Sequence, residues 1–85
     1  MIEEKVRNLI SESVNKLGVR IDSIKYVKEG SNYFLRIVID RDDAIDVDTC
    51  VEVTNIINPL LDEADIIRDS YILDICSKEK GDNNG

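Results

Sequence analysis

Residues 26–40 constrain the fold of this 85-residue chain more than any other stretch. They read Tyr-Val-Lys-Glu-Gly-Ser-Asn-Tyr-Phe-Leu-Arg-Ile-Val-Ile-Asp. Two runs rich in β-branched and aromatic residues flank Glu29, Gly30, Ser31 and Asn32, the only turn-like cluster nearby. This is the pattern of an antiparallel hairpin closed by a Gly-containing loop. Strand side chains alternate between faces, so Tyr33, Leu35, Ile37 and Ile39 form one unbroken apolar row. Phe34, Arg36, Val38 and Asp40 form the other face. The apolar row needs a cover, and the flanking segments read as supplying it.

Upstream, Ile2, Val6, Leu9, Ile10, Val14 and Leu17 recur at three- and four-residue steps, which predicts a helix over residues 2–17. Glu3 and Glu4 fall in its first turn and Lys16 in its last, in agreement with the helix dipole. Gly18 follows as a left-handed cap. The first hairpin arm, residues 19–28, alternates imperfectly: Val19 and Ile21 share one phase, Ile24 and Tyr26 the other. Either a β-bulge near Asp22 and Ser23 or an end of the regular strand there reconciles them.

Downstream, Asp46 sits where an N-cap belongs, and Asp48 adds negative charge to the first turn of a second helix over residues 47–61. Cys50, Val53, Ile57 and Leu60 make its apolar stripe. Pro59 predicts a kink or an irregular final turn, with residues 62–65 as an acidic connector. A third strand over residues 70–77 turns Tyr71, Leu73 and Ile75 inward and Ile72, Asp74 and Cys76 outward. The polar run at 78–85 reads as a disordered tail, leaving residues 1–77 as a single domain.

The order α-β-β-α-β predicts an α+β two-layer sandwich, a three-stranded sheet with both helices on one face. The other face is then left bare. Phe34, Val38 and Ile72 would share it, either as a docking patch or as the scattered apolar residues common on protein surfaces.

Charge narrows the partners. Eleven Lys and Arg stand against 18 Asp and Glu, for a net charge of −7 and a pI of about 4.4. Direct binding to a nucleic-acid backbone is disfavoured by this field, which would instead attract a basic protein. No apolar run is long enough to span a bilayer and no signal-peptide plan opens the chain, so no membrane role and a cytoplasmic location are expected. The five Asp among residues 40–48 lack both the sharp-turn Gly and the final Glu of a calcium loop. Cys50 and Cys76 are the only cysteines, and there is no histidine, so neither a zinc site nor an activated nucleophile is expected. The chain reads as a non-enzyme without metal or cofactor.

Several blocks in register resemble the N-terminal domain of the bacterial ribosome maturation factor RimP family. They are residues 26–30, 35–40, 48–53, 60–62 and 71–75, with the same element order. The resemblance covers residues 3–77 and implies a non-enzymatic factor that acts on the small ribosomal subunit through a basic ribosomal protein. It also implies a second, β-barrel domain reached through a Ser-Pro-Gly-Leu linker. Here Lys78, Glu79 and Lys80 follow Ser77 instead, which reads as a shortened member whose hold on the subunit is weaker or redirected. The competing reading is a general interaction or self-association module on the same fold. In either case the expected contacts are Phe34, Arg36, Val38 and Ile72 on the bare face, with Asp42, Asp43 and Asp46 as steering charges.

Overall fold

The computed structural model describes residues 1–78, in the order α1 (Ile2–Asn15), β1 (Arg20–Glu29), β2 (Asn32–Asp40), α2 (Val47–Ala64) and β3 (Tyr71–Ser77). The expected α+β architecture is present. The sheet runs β1-β2-β3, with β2 central, antiparallel to β1 and parallel to β3. The short hairpin connection makes the first pair antiparallel, and the helical crossover makes the second parallel.

Glu29 pairs with Asn32, leaving Gly30 and Ser31 as a two-residue turn. Gly30 has φ +64°, the left-handed value that a Gly at the first turn position of a hairpin supplies without steric cost. The register of β1 against β2 skips one residue between Ile21 and Ser23, so of the two readings of the broken alternation the bulge, at Asp22, is the one present.

Leu35, Ile37 and Ile39 are fully buried beneath Val6, Ile10 and Val14 of α1 and Val53, Ile57 and Leu61 of α2. Tyr33, the fourth member of the row, is half-buried. Its ring stacks on Tyr26 at 5.4 Å between centroids, and Lys28 Nζ lies 5.5 Å from the ring centre. Ile67, in the connection ahead of β3, adds a buried side chain that neither flanking periodicity announces.

The ends of the elements depart from expectation for identifiable reasons. α1 stops at Asn15, so Lys16 is its cap and no basic residue occupies its last turn. Leu17 and Gly18 donate their N–H groups to Val14 O and Asn15 O, and Gly18 takes φ +82° as expected. β1 and β3 each begin one residue later than the alternation suggested.

α2 continues through Pro59 to Ala64, so residues 62–64 are helix and not connector. Proline removes one helical N–H, and the burial of Ile57 and Leu61 on either side of it holds the helix together. Asp65 closes α2 in the left-handed conformation, φ +51°, with its N–H on Leu61 O at 3.0 Å.

Lys78, expected to open the tail, instead extends the sheet. Its N–H reaches Ile39 O at 2.8 Å, and its Nζ reaches Asp22 at 3.1 Å. The rest of the expected tail, 79–85, lies outside the described residues. Among the described residues no helix is long and apolar enough to cross a membrane.

Candidate docking face

Both helices lie on the side of the buried row: α1 packs on β1 and α2, and α2 packs on β3. No described element covers the opposite face. Alternation and register place Lys25 and Val27 of β1, Phe34, Arg36 and Val38 of β2, and Ile72, Asp74 and Cys76 of β3 there. The sequence-predicted residues Phe34, Arg36, Val38 and Ile72 therefore share one surface. Phe34 and Val38 are half-buried by their neighbours, and Ile72, 47% exposed, is the most open apolar side chain of the group.

Arg36 organises this face. Its guanidinium lies 5.0 Å from the centre of the Phe34 ring and donates two hydrogen bonds of 2.9 Å to the carboxylate of Glu29 on β1. Its Nε sits 3.4 Å from Asp74 on β3. One side chain thus ties all three strands and shields the Phe34 ring. The hydrogen bond with Arg36 holds the Glu29 carboxyl below its usual range, and the same bond raises Arg36 further. The planar fork of arginine suits this bidentate arrangement, which a lysine could not copy.

At the far end of the face, Arg20 bridges Asp40 at 3.1 Å and Asp42 at 3.4 Å. Asp42 is 97% exposed at its side chain, and Asp43 is also exposed. Both stand in the loop between β2 and α2, which Arg41 closes through Ala44 O. Asp46 has a different task. Its carboxylate accepts from Thr49 Oγ1 at 2.7 Å and from Thr49 N at 2.9 Å, capping α2 as expected. These bonds, the hydroxyl first, hold its carboxyl below the usual range.

Cys76 and Cys50 are free thiols. Cys76 is exposed, and partial desolvation by its neighbours together with the nearby Asp74 pushes its thiol up from the ordinary value. Among the described residues no group of three or more Cys, Asp or Glu is placed to hold a metal ion.

Glu29 and Asp74 are the partners of Arg36 on this face that the sequence alone did not single out. Glu29 lies diagonally from Arg36 and is met only because the long arginine runs along the strand over Phe34. Asp74 is opposite Arg36 only in the parallel register. The charge on this face is close to balanced, and the acid excess lies elsewhere: residues 40–69 carry ten acidic side chains against two basic ones.

The comparisons with known proteins agree with this geometry at the level of fold. A family model described as the RimP N-terminal domain matches residues 9–78. Among solved structures, the chain is similar to a doubly substituted MamM CTD, with TM-score 0.52 and 19% identity over 92% of this chain and 94% of that one. It is also similar to the cadmium form of another MamM CTD variant, with TM-score 0.52 and 20% identity over 92% and 96% of the two chains. For the nickel form of a third variant the TM-score is 0.51 and the identity 18%, over 92% and 99%. At such identities the likeness to these structures is one of fold.

Proposed function

The chain belongs to the family of RimP N-terminal domains, and from that premise we propose that it is a cytoplasmic, non-enzymatic factor in maturation of the small ribosomal subunit that docks a basic ribosomal protein. The family match over residues 9–78 carries this reading. Charge supports it independently. A net charge of −7, with the excess gathered in residues 40–69, steers a cationic partner toward the loop and the ends of α2. The open face offers apolar contact at Ile72 and Val38 beside a fixed Arg36, so docking there orders few new side chains. Asp42 and Asp43 act as steering charges, whereas Asp46 is committed to its cap.

Co-sedimentation with purified small subunits tests the proposal. Association is expected at low salt, weakening as salt rises. Ile72→Asp and Val38→Asp should reduce it while leaving the fold intact. No association at low salt overturns the adaptor reading.

Self-association through the same face is the second reading, favoured by the exposure of Ile72 and opposed by the like charge of two copies. Light scattering separates them: a stable dimer dispersed by Val38→Asp would favour it.

A further inference from the structure

β3 is an outer strand of the sheet, and its free edge faces a groove against α2. Lys78 donates its N–H inward to Ile39 O. Counting back along the strand, the backbone groups of Ile72, Asp74 and Cys76 also point to β2, and those of Tyr71, Leu73 and Ile75 point away from the sheet. None of the hydrogen bonds among the described residues outside the regular elements reaches these three backbones. Their side chains form the inward row of β3, yet all are half-buried, unlike the sealed row of β2.

The groove has a volume of about 460 Å³ and is lined by Asn58 and Asp62 of α2 on one side and by Asp69, Tyr71 and Leu73 on the other. The side chains of Asn58, Asp62 and Asp69 make no hydrogen bond or ion pair within the described residues. The groove is open and acceptor-rich, and it runs along the C-terminal half of α2 from Thr54 to Asp62, reaching the negative end of the helix dipole at Asp62. Asp62 and Glu63 crowd that end, and no basic residue balances them in the last turn. Acids here work against the stability of α2, and local rules broken without a packing gain mark functional positions.

We propose that the outer edge of β3 and the groove beside it take an extended, lysine- or arginine-bearing segment of the partner as a fourth strand. This rests on the basic partner proposed above and specifies how it is held. Main-chain bonds to Tyr71, Leu73 and Ile75 supply the pairing, and alternate side chains of the added strand enter the groove, where cations meet Asp62 and Asp69. The intervening side chains extend the open face beside Ile72. A second copy of this chain is the wrong occupant on charge, since it would bring its own acidic groove to the same edge.

The test uses a soluble peptide of about ten residues alternating lysine and threonine, long enough to span an edge strand, and a copy of equal charge methylated at every backbone nitrogen. With the first peptide, amide exchange at Tyr71, Leu73 and Ile75 should slow at least ~10-fold while Tyr26 is unchanged. Asp62→Asn with Asp69→Asn should weaken binding roughly threefold to tenfold. Equal binding of the methylated copy overturns the inference, as does protection at other strands only, or edge protection that grows with protein concentration without peptide. Edge protection by the peptide without association with small subunits upholds strand addition and removes the adaptor reading. Subunit association without edge protection does the reverse.

Discussion

The two outer strands of the sheet are finished differently. Along β1, α1 supplies two of the missing partners: Glu3 Oε2 accepts from the Tyr26 N–H at 3.3 Å, and Arg7 Nη1 reaches Ile21 O at 3.5 Å. The bulge at Asp22 further breaks the regularity of that edge. Along β3 there is no bulge, no proline and no helix side chain bonded to the backbone, and Asp74 is the only charged residue between Tyr71 and Ser77. Proteins usually blunt such an edge because it templates pairing with other chains. Here the first edge is bonded at two points by the chain's own helix, and the second carries a half-buried apolar row beside unpaired acids. The difference contrasts an edge tied to its own helix with one that the proposal above gives to a partner, and the net charge of −7 disfavours pairing between identical copies.

The largest expected effect strikes what both edges share. Ile37→Ala, beneath both helices at the centre of β2, should cost about 2–5 kcal/mol in urea denaturation. Protection should fall at both edges together, because each depends on the same core. Unequal loss would show that the two halves of the sheet unfold separately.

Next comes the seal on β1. Glu3→Ala leaves the Tyr26 N–H without its acceptor and should cost about 1 kcal/mol. It should also speed exchange at Tyr26 without touching Leu73. If the Tyr26 amide is indifferent to Glu3, the contrast between the edges loses its basis.

Acid provides a third test. Asp46 and Glu29 are both held below the usual carboxylate range in the folded chain. Their folded values lie below the unfolded ones, so their stabilisation is complete above the unfolded value and is lost as pH falls through the folded value. Asp46→Asn keeps an acceptor for the Thr49 N–H but cannot titrate, so thermal melts from neutral to acidic pH should flatten relative to the parent chain.

The smallest effect is a gain. Glu63→Lys removes an acid from the negative end of α2 and supplies the cation its last turn lacks, and should add about 0.3–1 kcal/mol. The same change should weaken peptide binding at the β3 edge. A stability gain without that loss would separate the acids of α2 from the groove.

The features legible in the sequence are local ones. The Gly30 turn, the burial of Leu35, Ile37 and Ile39 in the β2 row and the Asp46 cap each follow from a few neighbouring residues, and the broken alternation of β1 admits the bulge at Asp22 as one of two readings. The end of α2 was not legible. The rules that place helix ends treat Pro59 and a run of acids as a stop, and here the burial of Ile57 and Leu61 outweighs them. The clamp on Arg36 was hidden because it depends on β3 pairing in parallel and on a side chain lying along the strand across Phe34. The contrast between the edges was hidden for the same reason: which strands are outermost, and which of them α1 reaches, is decided only by packing. Sequence reasoning therefore found the face of the sheet and missed its edge.

Mass-spectrometric hydrogen exchange on the chain, free and bound to small ribosomal subunits, tests the account most directly. In the free chain, residues 71–75 should exchange faster than residues 24–28, and on binding the first segment should slow while the second stays as it was. Equal rates in the free chain, or slowing confined to residues 24–28 on binding, would contradict it.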